Sequence, residues 1–263
     1  MDKMAVYLVG DHHMGMLSWA PETGANYDLE IGERLLVGAF DYLTANVPAS
    51  PKAAIVFLGD FKHYDSYKPV TPASGHILDA DSRFPAMVQA TIRCKRAAIN
   101  AALRRHHHVL VIDELGNHDE SGSVIDREWL SVVYENEPRV TVDTSPRHFH
   151  YFRHGRTLVG VHHGHGAKPE QLQGIMSADC PAEWGDTTYR YWYTGHVHSK
   201  RQWDYPGCSV ESFRILPPND AWAFNKGYRS HRGMEAIVLS EKFGEVLRVP
   251  FKPEMLDQCS HTI

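Results

Sequence analysis

The sequence predicts an α/β protein in which apolar sheets are covered by helices. Three observations carry this. Short β-branched and apolar runs recur at intervals and read as buried strands. Longer segments with helical spacing follow the first two runs. The second half of the 263 residues is strand-rich. Strands that alternate with helices and then give way to further strands bury their faces as layered sheets.

The elements follow in order. AVYLV (5–9) is a buried strand ending at Gly10. Residues 28–47 place Leu29, Leu35, Leu36, Ala39, Phe40 and Leu43 at helical spacing, and Pro48 closes the helix. AAIVFLGD (53–60) is a second strand. Residues 62–81, rich in Pro, Ser and Gly, form a long loop of the kind that carries function. Residues 82–105 make a long helix, and the basic residues of 93–108 read as its solvated face. VLVID (109–113) is a third strand, and 123–137 a helix with Ser123 as its N-cap. Strands are expected at 148–152, 157–163, 189–196, 209–215, 234–240 and 245–251, with a short helix over 167–176. No internal repeat or linker interrupts the chain, so 1–263 reads as one domain.

Composition excludes several classes. The formal charge of −5 gives no global basic field, so a polyanion would have to be met by a local patch. Cys94, Cys180, Cys208 and Cys259 have no CxxC spacing, which speaks against a disulfide framework or a zinc finger and for reduced thiols in the cytoplasm. The N-terminal apolar run is too short for a signal peptide, and no stretch approaches a membrane span. Histidine is abundant, at 18 residues. His106–His108 and the group His148, His150 and His154 read as surface features.

The remaining histidines fall at strand ends. The first strand leads into Asp11-His12-His13, the second into Gly59-Asp60 and the third into Gly116-Asn117-His118-Asp119. TLVGVHHGHG supplies His162, His163 and His165, and YTGHVHSK supplies His196 and His198. Ligands gather at the carboxyl ends of strands in such sheets. Carboxylate and imidazole donors without cysteine suit Mn, Fe, Zn and related divalent ions. Seven candidates, Asp11, His13, Asp60, Asn117, His163, His196 and His198, exceed one catalytic site and fit two ions sharing a carboxylate. In extended backbone the i, i+2 pairs Asp11/His13 and His196/His198 point the same way.

The ordered set DHH, GD, GNHD, His-Gly and GHVH resembles the calcineurin-like metallophosphoesterase superfamily over residues 5–200. The resemblance implies a four-layer α-β-β-α sandwich of two mixed sheets flanked by helices, with a dinuclear metal site at the strand ends. It implies that Asp11, His13 and His198 hold one ion, that Asn117, His163 and His196 hold the other, and that Asp60 bridges them. His118 faces the substrate in this family and protonates the leaving group, while Asp119 hydrogen-bonds and orients His118. Phosphodiester bonds are the implied target, attacked by a metal-bridging hydroxide. The two ions are expected to be Mn²⁺, with Fe, Zn, Ni, Co or Mg as alternatives. His63 stands where many members carry Asp. In the fourth motif His163 directly precedes Gly164 and is the chosen donor; His165 stays open.

Substrate contacts are expected from His63, His76, Lys200 and Arg201, with Tyr64, Tyr67 and Lys68 in the same loop. The stretch 200–232 interleaves Lys and Arg with Trp203, Trp222, Phe224 and Tyr228, which suits DNA, RNA or a nucleotide. The alternatives are a phosphomonoesterase or protein phosphatase, a non-catalytic phosphate-binding module, and a metal-dependent redox protein. The last lacks a GxGxxG after the first strand. Oligomeric state is not legible in the sequence.

Overall fold

The computed structural model of the chain describes residues 3–259. The first half contains β1 (Lys3–Val9), α1 (Ala20–Thr23), α2 (Leu29–Asn46), β2 (Lys52–Phe57), α3 (Phe84–Leu103), β3 (His108–Asp113), α4 (Glu120–Val133) and β4 (Val140–Val142). The second contains β5 (His150–His154), β6 (Thr157–His162), α5 (Pro169–Asp179), α6 (Pro181–Asp186), β7 (Tyr189–Thr194), β8 (Arg201–Tyr205), β9 (Cys208–Ser212), α7 (Ala221–Asn225), β10 (Met234–Ser240), β11 (Gly244–Phe251) and α8 (Glu254–Cys259).

Period-two alternation in β1 explains the layering. Ala5, Tyr7 and Val9 face one way and pack on Leu36, Phe40 and Leu43 of α2 and on Met87, Cys94 and Ile99 of α3. Met4, Val6 and Leu8 face the other way and meet Val159, Val161, Tyr193 and Phe213 of a second sheet. A strand apolar on both faces must be covered on both. The outer face of the second sheet, with Leu158, Trp192 and Val210, is covered by Leu172 and Met176 of α5. The four layers are therefore helix, sheet, sheet, helix, as the sequence led us to expect.

The first sheet has the order β11-β10-β1-β2-β3-β4 and the second β5-β6-β7-β9-β8. Both are mixed. β1, β2, β3 and β4 run parallel, with β10 antiparallel to β1. In the second sheet β6, β7 and β9 run parallel, and β5 and β8 close the edges antiparallel. Parallel strands in both sheets thus bring five carboxyl ends, those of β1, β2, β3, β6 and β7, toward one region.

Several boundaries differ from the sequence reading. The helix expected from 123 begins at Glu120 with Asp119 as N-cap, and Ser123 is buried inside it. Residues 62–81 carry neither helix nor named strand, only isolated bridges such as Val70 with Ile77. The short strands β4 and β8 and the helices α1, α6, α7 and α8 were not expected; each is too short for a periodic signal. Cys94, Cys180 and Cys208 are free thiols, and the side chain of Cys259 lies outside the described set.

Three of the histidines assigned to the surface are buried. His106 shares hydrogen bonds with Tyr7 Oη (2.8 Å) and Ser50 Oγ (2.9 Å). His150 lies between Asp143 (2.8 Å) and Glu114 (3.2 Å), and His154 is also buried. Lys95, expected on a solvated face, is buried as well. Its ammonium meets Asp113 and Asp126 at 2.5 Å each and lies 4.6 Å from the Phe61 ring centroid. Lys62 joins the cluster at 2.6 Å from Asp126. Burial alone would lower the Lys95 ammonium, and the two carboxylates outweigh it and hold it above its usual range.

This cluster ties α3, α4 and β3 to the loop after β2. Removing one member of a buried ion cluster leaves the others uncompensated. Lys95→Met is expected to lower unfolding stability by about 3–5 kcal/mol. Urea denaturation measures it; a loss within error would mean that the carboxylates find other partners.

Candidate metal centre

Five strand ends build the site. Asp11 and His13 follow β1, Asp60 follows β2, Asn117 and His118 follow β3, His163 follows β6, and His196 and His198 follow β7. All seven proposed donors and His118 converge. Two groups form, in which the donor atoms lie within 4.8 Å of one another: Asp11, His13 and His198, and Asp60, His163 and His196. A third group of the same tightness joins His13, His63 and His118.

The first group is knit by His198 Nε2 at 2.9 Å from Asp11 Oδ2 and 3.2 Å from His13 Nε2. In the second, His163 Nε2 lies 3.3 Å from Asp60 Oδ2 and 3.1 Å from Asn117 Oδ1. The other nitrogen of His163, Nδ1, donates to Leu58 O at 2.6 Å. That bond fixes the tautomer and aims Nε2 inward, the usual support for a metal-binding imidazole.

The backbone conformation is unusual in one respect. Among the described residues, the non-glycine positions with positive φ are His13 (45°), Asp60 (50°), His196 (66°) and His198 (51°). All four belong to the donor groups. The i, i+2 pairs therefore do not converge by extended backbone, as the sequence reading held. They lie beyond the strand ends, and left-handed turns aim them. Such conformations cost of order 1–3 kcal/mol each and persist where surrounding contacts over-determine them.

Those contacts are visible. The amide of His196 donates to both oxygens of Asp11 at 3.0 Å, and the amide of His13 donates to Asp60 O at 3.0 Å. Asp119 was expected to orient His118. Its carboxylate instead accepts from the amides of Asp60 (3.1 Å), Lys62 (3.0 Å) and Gly116 (3.3 Å), binding the loops after β2 and β3 together. His118 is held by two other bonds: its amide donates to Asp60 Oδ1 at 2.7 Å, and its Nδ1 donates to His63 O at 2.8 Å. No sequence signal announces a backbone carbonyl in that role. Gly59 and Gly116 permit the approach. A Cβ at Gly59 would strike the His163 ring, and one at Gly116 would strike Asp60.

Electrostatics agree with a centre made to hold cations. Burial works against the Asp60 carboxylate, but His163, His118 and His13 hold it well below its usual range. His163, which burial alone would lower, is lifted to about 10 by Asp60 and Asp11. His13 is driven well below its usual range by burial and by the facing His118, His198 and His63. Imidazole nitrogens face one another and carboxylates at contact distance, His198 Nε2 at 2.9 Å from Asp11 and His13 Nδ1 at 3.2 Å from His63 Nδ1. Oxygen and imidazole donors of this kind suit hard to borderline divalent ions, so the residues present fit divalent metal binding.

The centre opens into a cleft of about 590 Å³. His63 and His76 line it, His63 buried against His13 and His118 and His76 on the exposed 62–81 segment. Arg201 also lines it. Lys200 does not: its ammonium pairs with Glu235 (3.0 Å) and Glu211 (3.3 Å), so its charge is taken up between the sheets. Tyr64 is buried too, its hydroxyl donating to Ser82 O. The neighbouring histidines divide as follows. His12 turns away and bonds Gly32 O at 3.1 Å, and His162 stacks on Phe149 and accepts from the Gly164 amide. His165 lies 5.2 Å, ring to ring, from His163 and joins none of the three donor groups.

No family model matches the chain, and no curated protein matches it. Among solved structures the chain is similar to a conserved uncharacterized protein from Streptococcus pneumoniae, described as a predicted phosphoesterase. The identity is 12%, with 95% of this chain and 98% of that one covered and a TM-score of 0.37. It is similar to an archaeal phosphodiesterase at 13% identity, covering 95% and 99%, with a TM-score of 0.41. It is similar also to Vps29 of Entamoeba histolytica in complex with Zn²⁺, at 12% identity, covering 95% and 99%, with a TM-score of 0.39.

The bonds of Asp119 lead to a prediction. Asp119→Ala leaves three buried amides without an acceptor, at about 1–3 kcal/mol each. It is expected to weaken Mn²⁺ binding at least ten-fold in calorimetry, together with turnover. Unchanged Mn²⁺ affinity with lost turnover would instead return Asp119 to a role confined to His118.

Proposed function

We propose that this chain is a calcineurin-like metallophosphoesterase that hydrolyses phosphodiesters with two divalent ions, Mn²⁺ by expectation. The observation that carries the reading is the restriction, among the described residues, of left-handed backbone outside glycine to four members of one side-chain cluster. Strain confined to one group of side chains is a mark of a functional site. Asp11, His13 and His198 would hold one ion, Asn117, His163 and His196 the other, and Asp60 would be shared. When bound, two such ions supply Lewis acidity and an activated water for attack on phosphorus.

The chain's own residues supply the rest. His118 is half-buried at the cleft floor, and its Nδ1–H is committed to His63 O. Nε2 is therefore the nitrogen free to exchange a proton, and protonated there it is the group to hand a proton to a leaving oxygen. The stack of His63 on His118, with ring centroids 5.5 Å apart, holds the ring plane. Among the described residues Arg201 is the one lysine or arginine lining the cleft, which suits the single charge of a diester better than the two of a monoester. Nucleic acid and cyclic or dinucleoside phosphates both belong to that class.

The test is a matrix of Mn²⁺, Mg²⁺, Zn²⁺, Ni²⁺ and Co²⁺ against mono- and diester chromogens, DNA, RNA and cyclic nucleotides. Metal-dependent turnover of diesters, abolished by chelation, is expected. His118→Ala should retain Mn²⁺ binding and lose roughly 10²–10⁴-fold in kcat, the range for general acid catalysis. Asp60→Ala should lose metal as well. Wild-type turnover in His118→Ala, or full occupancy of two ions in Asp60→Ala, would remove those assignments.

A further inference from the structure

Above the donor groups the cleft has an apolar rim that the chemistry of phosphorus does not require. Trp222 of α7 is 61% exposed and Tyr228 55%, and both line the cleft. Their ring centroids lie 6.0 Å apart at 43°. Ile77, 88% exposed, lines the same cleft from the 62–81 segment. Single exposed apolar side chains are ordinary on a protein surface. Three of them on the walls of one concavity, above a cluster of donors, match the make-up of a ligand pocket, whose usual volume is roughly 300–1,000 Å³.

The aromatic wall is also held in place by polar ties. Asp220 caps α7 by accepting from the Ala223 amide at 2.8 Å. Asn219 Nδ2 donates to Tyr228 O at 2.7 Å, and Ser18 Oγ donates to Asn219 O at 2.9 Å. Arg229 donates to Phe224 O (2.8 Å) and Tyr228 O (2.7 Å), its guanidinium 3.6 Å from the Phe224 ring centroid. Arg232 donates to Leu216 O at 2.7 Å. These arginines, read from the sequence as contacts for a polyanion, are committed to the backbone of the wall. With Lys200 bound to Glu235 and Glu211, Arg201 is, among the described residues, the one permanent cation lining the cleft, and Asp79 and Asp220 line it too. A protein that tracks a nucleic acid strand needs a row of cations along the backbone, and this cleft offers none.

We propose that Trp222 and Tyr228 form a subsite for a flat aromatic group on the non-leaving ester arm of a small phosphodiester, an aryl or nucleobase ring stacking there while the phosphate sits over the donor groups. This rests on the phosphoesterase reading and names the substrate class within it. Trp222 and Tyr228 are specificity-determining residues, and Ile77 adds apolar surface to the same cleft.

The experiment uses the full chain loaded with Mn²⁺. It compares kcat/KM for bis-p-nitrophenyl phosphate and methyl p-nitrophenyl phosphate, which share a leaving group. Intrinsic reactivity cancels when the ratio is compared between variants. Trp222→Ala is expected to lower the ratio roughly ten-fold, the order a stacked base loses on truncation to alanine. Trp222→Phe, which keeps a ring, should hold the ratio within about three-fold of wild type, the smaller ring losing only part of the stack. Phe243→Ala, at an exposed turn away from the cleft, should not move it. Adenosine 5′-phosphate and phenyl phosphate, as competitive inhibitors, identify the source: the tighter of the two names nucleobase or aryl. Equal loss on both diesters in Trp222→Ala, no change in the ratio, inhibitors no tighter than methyl phosphate, or a long single-stranded DNA preferred to small diesters would each overturn the subsite. Absence of turnover on every diester by the wild-type protein would instead defeat the reading of the site itself.

Discussion

The structure depends on a backbone constraint. His13, Asp60, His196 and His198 are held in the left-handed region, which β-carbon sterics disfavour for every L-residue but glycine. Each of these residues lies in the loop that follows a strand. Had the chain stayed extended, each i, i+2 pair would have faced one side of its own sheet. The turns gather them on one side, so donors from two different sheets meet. What holds the turns is a set of bonds that run through the donors themselves: amides on Asp11, Asp60 and Asp119, and the His163 ring on Leu58 O.

The layered fold makes that convergence possible. Parallel strands on both sides of the inter-sheet core bring their carboxyl ends to one edge. Behind the edge, the cluster of Lys62, Lys95, Asp113 and Asp126 locks α3 and α4 to the loops. A buried ion cluster gives little net stability relative to an apolar one. Here it lies one residue from Phe61 and two from Asp60, so its contribution is to geometry: it fixes where the loop after β2 begins. Lys62 stands 3.9 Å from Asp119, which in turn holds the amides of Asp60 and Gly116.

The strands were legible because their apolar runs are short and bounded, and the convergence of the site's side chains because Asp, Asn and His recur after each run. The layer order followed from β1 being apolar on both faces. Three things were not legible. The aim of the donors comes from φ, which His-x-His does not encode. The burial of Lys95, His106 and His150 comes from partners distant in sequence, such as Asp126 and Ser50. The role of Asp119 comes from amides on another loop. In each case the physical cause is a long-range contact, which local composition cannot report.

The most direct test of the central claim is anomalous diffraction from crystals grown with Mn²⁺. The account predicts two peaks at the floor of the cleft, one contacted by Asp11, His13 and His198 and one by Asn117, His163 and His196, with Asp60 touching both. A single peak, or two peaks that leave Asp60 uncoordinated, would contradict it.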